Sequence, residues 1–193
     1  VHLTQAFNLM ALGQTRRAAT HIEDAESLAM STGHIQTICY TLMMRSAWYK
    51  LASDRSNAER CLKKVELFVQ EHNLTHWMLL TSMNAEVVAA YGGDTSSIAR
   101  YRKVEATVIA AKIVNGIPMT RVDVARFALA MGLREEAVEL AMMAQELIDE
   151  TGEAIALSDL HRLQGAIAMA DDATEIAEKY LVTALDVARR QGG

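Results

Sequence analysis

The sequence predicts an all-α protein, a tandem array of about five helix hairpins and ten helices. Three observations carry that prediction. Small residues recur at fixed offsets, turn-forming residues stand between them, and the pattern returns every 39 or 40 residues. Residues 161–192 show it most clearly. Gly165 and Ala177 flank the Asp171-Asp172 turn, twelve residues apart, and Ala184 follows seven later. Small side chains at such positions let two helix backbones approach closely, which describes the internal contact of a hairpin.

The same offsets recur upstream. The first small site is Ala6, Ser46, Ala85, Ala125 and Gly165, and the second is Ala18, Ala58, Ser97, Ala137 and Ala177. The third is Ala25, Val65, Val104, Ala144 and Ala184, and the turn site is Gly13, Ser53, Gly92, Gly132 and Asp172. A fixed period of this length implies a solenoid of helix pairs. The repeats run over about 1–33, 34–73, 74–116, 117–152 and 153–193, as a single domain over 1–193.

Each element follows from local signals. Helices are predicted over about 2–12 and 15–31, then 34–51 and 55–72, with Asp54 capping the later one. The third pair spans about 75–91 and 95–114, with Asp94 as its cap. The fourth spans about 118–131 and 134–150, and the fifth about 154–170 and 173–190. Pro118 fits a first helical turn after Asn115-Gly116, and Glu135-Glu136 suit the positive end of the next helix dipole.

Composition agrees. Apolar residues make up 51% and aromatics only 5%, as expected of close-packed helices rather than sheets. The net charge of −5 and the scattered basic residues leave no stripe that would track phosphates, so direct nucleic-acid binding is not expected. No membrane-length apolar run or signal peptide is visible, and a cytoplasmic protein is expected. Cys39 and Cys61 would be offset along a hairpin by roughly 10 Å, too far for a disulfide, so both are expected as buried thiols. Repeat arrays need polar end caps. This one has none, so the chain is expected to come from a longer protein.

The spacing of small sites around a hairpin-turn glycine resembles the tetratricopeptide repeat, although each unit exceeds the usual length of about 34 residues and lacks the usual inter-repeat proline. A narrower resemblance is to the tetratricopeptide-like C-terminal regions of bacterial signalling and transcriptional-regulator proteins. There the repeats follow a class III adenylate/guanylate cyclase or winged-helix domain and an AAA-type ATPase module. The segments that carry it are Gly132 to Leu140, Asp159 to Gly165 and Ala184 to Gly192, with Trp48 and Trp77 at positions where such regions often hold tryptophan. The resemblance implies a right-handed α–α superhelix and a regulatory rather than catalytic role.

Candidate chemistry is sparse. No phosphate-binding loop, dinucleotide fingerprint or nucleophile elbow is present. His72 and His76 have zinc-like spacing, but Asn73-Leu74-Thr75 breaks the helix between them, which favours solvated turn histidines. His161-Arg162 could meet an anion, although packing of His161 and solvation of Arg162 are preferred. Met43-Met44 and Met142-Met143 suit core filling better than an adaptable surface. No catalytic residue, metal ligand or cofactor is expected.

A solenoid's first helices line its concave face. Positions three before or one after the first small site, and one turn either side, give a candidate partner-binding groove. Its residues are Tyr40, Met43, Lys50, Leu79, Glu86, Met119, Val122, Arg126 and Arg162. This mostly apolar set suits a peptide or partner helix. The expected function is a non-catalytic interaction module holding a protein, a peptide or its parent's own upstream domains, with homodimerisation through exposed array ends as a further option. The rival is an effector-binding sensor of a transcriptional activator, which would need an enclosed apolar cavity.

Overall fold

In a computed structural model, residues 2–11 and 14–191 are described. Left-handed backbone positions punctuate them in two phased series. Within hairpins they are Ser53 (φ 59°), Gly93 (φ 89°), Gly132 (φ 75°) and Asp172 (φ 56°). Between hairpins they are Gly33 (φ 66°), Asn73 (φ 54°), Lys112 (φ 59°) and Gly152 (φ 72°), with Gly116 (φ 82°), just before α7, standing outside both series. Each step is 39 or 40 residues, so the sequence period is written directly into the backbone. A left-handed residue after the last helical turn lets amide groups reach back to the helix's orphan carbonyls. The Gly33 amide does so, donating to Ala29 O at 3.1 Å.

Between these positions run α1 (His2–Ala11), α2 (Thr15–Thr32), α3 (Ile35–Leu51), α4 (Arg55–Glu71) and α5 (Thr75–Tyr91). They are followed by α6 (Ser97–Ala110), α7 (Ile117–Ala130), α8 (Arg134–Thr151), α9 (Leu157–Ala170) and α10 (Thr174–Arg190), with a 3-10 turn at Ala154–Ala156 leading into α9. The chain is all-α among the described residues. Contacts divide it into two compact units, Val1–Gly92 and Gly93–Gly193. The predicted third repeat is shared out, with α5 in the first unit and α6 in the second.

In the first unit α1 pairs with α2 and α3 with α4, while α5 packs on α4 and α3. One core cluster joins Ala29, Ile38, Cys39, Leu42, Val65 and Val69, and another joins Ala58, Leu62 and Val88. Cys39 and Cys61 are buried free thiols, as the sequence implies. In the second unit α7 pairs with α8 and α9 with α10, α8 packs on α9, and α6 on α7. Here most of α7 is buried, from Ile117 and Pro118 through Val124 to Ala128, because α6, α8 and α9 all pack against it.

The small sites do what their spacing predicts. Ala6, Ser46, Ala125 and Gly165 are buried, and so are Ala18, Ala58, Ser97, Ala137 and Ala177. Ser46 Oγ donates to the Ala58 carbonyl at 3.1 Å, linking the two sites across twelve residues. A Cβ added at Gly165 would lie 3.0 Å from Leu181 Cγ and Cδ2 and 3.4 Å from the Ala177 carbonyl oxygen.

The third copy departs from the pattern. Gly92 ends α5 at φ −80°, and the left-handed residue is Gly93. Seven residues before Gly93 stands Glu86, not Ala85, so the first helix of this copy is out of phase by one. Thr81, Met83, Val87, Val88 and Ala90 face the core of α5, and Ala85 is exposed. Val104 is half-buried. The turn expected at Gly13 lies outside the described residues.

Polar contacts fix the helix starts and tie neighbouring repeats. Asp54 accepts the Asn57 amide at 3.1 Å as the expected cap of α4, and that hydrogen-bonding to Asn57 lowers its pKa. Asp94 accepts the Ser96 amide at 3.0 Å, ahead of α6. Hydrogen bonds from Ser96 and Arg100 hold its carboxyl down at about 2. Arg55 and Arg134, each the first residue of its helix, reach into the next repeat. Arg55 Nη1 donates to Gly92 O at 3.1 Å within the first unit, and the Arg134 guanidinium pairs with the Asp171 carboxylate within the second.

Gly165→Leu and Ala137→Leu should each overpack a hairpin contact and cost about 1–3 kcal/mol in denaturant titrations. Unchanged midpoints in both would show that these backbones do not approach closely. Gly132→Ala should destabilise, while Lys112→Gly should stabilise, each by about 0.5–1 kcal/mol, because only glycine enters the left-handed region without steric cost. Thermal melts of the pair decide this by opposite signs.

Candidate functional site

The predicted groove residues fall into both units and behave differently in each. In the first unit, Tyr40 on α3 is 47% exposed, and its ring centroid lies 6.2 Å from that of Trp77 on α5. Trp77 and Met43 are partly buried and pack against one core cluster, so the aromatic pair is anchored from beneath. Leu79 and Glu86 are half-buried. Lys50, expected in the groove, is buried at 8% exposure, with its ammonium 5.3 Å from the centre of the Tyr91 ring. Burying its long alkyl stem under an aromatic face suits a lysine better than a fully solvated position there.

In the second unit, Met119 is half-buried, but Val122 is only 1% exposed and belongs to the core. The correction follows from the packing of α6, α8 and α9 on α7, which encloses Val122 while leaving Met119 and Arg126 half-buried. Arg126 and Arg162 converge on one carboxylate instead. Arg126 Nη2 lies 3.4 Å and Arg162 Nη1 3.0 Å from Asp159 Oδ1. His161 stacks on Tyr180 at 6.1 Å between centroids, and its Nδ1 lies 2.8 Å from Gln164 Oε1. Packing, rather than anion binding, therefore describes it. Of the methionines, Met44 is buried, Met43 and Met143 are partly buried, and Met142 is 59% exposed.

Two open grooves accompany these surfaces. One of about 450 Å3 runs between α4 and α5, lined among others by Leu62, Lys63, Glu66, Met78 and Ser82. The other, of about 230 Å3, lies over α8, α9 and α10 around Met142, Ile167, Ile176 and Tyr180. Both open to solvent.

Ionisable groups also converge inside the second unit. Glu105 Oε1 accepts from the Tyr101 hydroxyl at 2.9 Å and from Arg121 Nε at 2.8 Å. Thr120 Oγ1 lies 2.9 Å from the same hydroxyl, and Arg121 Nη1 donates to the Met143 carbonyl. Burial, reinforced by Glu105, pushes the Tyr101 hydroxyl well above its ordinary pKa. The Arg121 and Glu105 side chains are 7% and 4% exposed. A dry, mutually occupied cluster ties α6, α7 and α8 together and offers no surface to a substrate. The cysteines fit the same picture: burial pushes both thiols above their usual pKa, away from the nucleophilic thiolate.

Sequence reasoning placed no metal ligands, and His72 and His76 are indeed separated by the break between α4 and α5. The structure brings another set together: His2 on α1 with His21 and Asp24 on α2, whose ligand atoms all lie within 4.8 Å of one another. A signal for it existed. His2 is four residues before the first small site and His21 three after the second, which puts them level in an antiparallel hairpin. Comparison with protein-family models, curated proteins and solved structures gave no match.

Arg121→Met should cost about 3–5 kcal/mol by leaving the buried Glu105 without its countercharge, whereas Arg121→Met with Glu105→Leu should recover most of that. Equal losses in the single and double variants, read by denaturant titration, would show that the pair is not the tie between these helices.

Proposed function

We propose that this chain is a non-catalytic interaction module. It is a tetratricopeptide-like repeat region that holds a protein or peptide segment for a multidomain bacterial signalling protein of the cyclase or ATPase type. The observation that carries the reading is the Tyr40–Trp77 pair, two aromatic side chains on adjacent first helices, with Tyr40 half in solvent and Trp77 packed against the core. Tyrosine and tryptophan supply large contact area at low entropic cost, and they dominate the energetics of protein interfaces.

The groove between α4 and α5 favours the same reading over a small-molecule sensor, because a ligand pocket buries most of its occupant while this groove is open to solvent. Regulation follows by population shift. A partner segment that prefers one arrangement of the repeats, or of the domains attached to them, stabilises that arrangement by its differential affinity. Among the described residues no helix is long and apolar enough to cross a membrane, so the partner segment is proposed to meet this face from the aqueous side.

With its parent's neighbouring domains supplied in trans, hydrogen–deuterium exchange should slow on α3 and α5. Tyr40→Ala combined with Trp77→Ala should weaken binding about tenfold, or 1.4 kcal/mol. Saturable uptake of a small effector, without protection of α3 and α5 by protein, would overturn this reading in favour of the sensor.

A further inference from the structure

The hairpin of α1 and α2 carries a convergence of side chains that neither packing nor the interaction reading uses. His2 Nδ1 lies 3.4 Å from His21 Nδ1 and 3.8 Å from Asp24 Oδ2. His21 and Asp24 are three residues apart on α2 and so share one face, while His2 approaches from α1. The two imidazole rings are inclined at 45° with centroids 5.6 Å apart, which aims their Nδ1 atoms at common space rather than stacking the rings. Two nitrogens of the same kind facing each other gain at most one hydrogen bond, and only when one ring donates while the other accepts. A cation between them satisfies both lone pairs and the carboxylate together.

The spacing is that of a coordination shell. Tetrahedral zinc bonds imidazole nitrogen at about 2.0–2.1 Å, which sets two such nitrogens about 3.3 Å apart. The Asp24 carboxylate, 3.8 Å from His2 Nδ1, stands on the exposed side, with 55% of its side chain in solvent, and closes toward the nitrogens when the ion binds. The His2 and Asp24 side chains are 41% and 55% exposed, so the convergence is reachable from solvent. The geometry points to a divalent transition-metal site, with Zn2+ as the fitting ion. His2 and His21 supply neutral imidazole, Asp24 supplies carboxylate, and one position stays open to solvent. Bound metal would cross-link α1 to α2.

The full chain, freed of metal by chelator, should be titrated with ZnCl2 by calorimetry and with Co2+ by visible absorption. One equivalent should bind with micromolar Kd, Co2+ should give the bands of a four-coordinate centre, and Zn2+ should raise the melting temperature. His21→Ala and the near-isosteric Asp24→Asn should each weaken binding by at least about tenfold, with the helical circular dichroism of both variants retained. His72→Ala with His76→Ala, and Cys61→Ser, should bind as the parent does. Affinity weaker than about 1 mM would overturn the site. So would binding that survives both His21→Ala and Asp24→Asn, or binding that is lost in the His72/His76 or Cys61 control.

Discussion

The close approach of two helix backbones across each hairpin turn is the constraint on which the rest of this structure depends. Where Ser46 meets Ala58, a hydroxyl replaces part of the missing side-chain volume by donating to the facing carbonyl at 3.1 Å. Where Gly165 meets Ala177, the space is so tight that even one methyl would touch Leu181 at 3.0 Å. Once these contacts are fixed, the outward faces of each pair have a set spacing. Apolar residues such as Leu42, Val65 and Val69 can then fill the seam to the next pair. Dense packing of this kind tolerates neither voids nor excess volume, so alanine, serine and glycine hold these positions.

The turns impose the second constraint. Among the described residues a left-handed residue stands at each reversal, yet glycine fills only some of those positions. Ser53, Asn73, Lys112 and Asp172 adopt the same conformation with side chains attached. Backbone geometry demanded by the hairpin contacts thus overrides the local preference of serine or lysine. The cost is borne by the packing on either side of the turn.

Electrostatics separates the two units. In the second, a buried Arg121–Glu105 pair with Tyr101 and Thr120 joins three helices through a fully occupied polar cluster. In the first, the Arg45–Glu26 ion pair is only partly buried, and His2, His21 and Asp24 converge with their side chains open to solvent. The Tyr40–Trp77 pair, with Tyr40 exposed, and the convergence of His2, His21 and Asp24 are both in the first unit. A group must reach solvent to meet a partner or an ion.

The sequence by itself determined the period, the helix pairs and the positions that had to be small, because each is set by spacing along one chain. It also set the ends of most helices to within a residue or two, through Asp54, Gly33 and Gly132. It misplaced Gly92 for Gly93 and put Ala85 in a contact, since a one-residue change of phase within a helix leaves no mark on composition. Only the tertiary structure decided which faces became interior. Val122 and Lys50 sit at positions that their offsets assign to a groove, yet neighbours that pack from several directions enclose them. It also decided that His2 would meet His21 and that Arg121 would reach Glu105. Such meetings depend on rotamers and on how helices rotate about their axes, and those are set by the summed packing of all their neighbours rather than by any local run of residues.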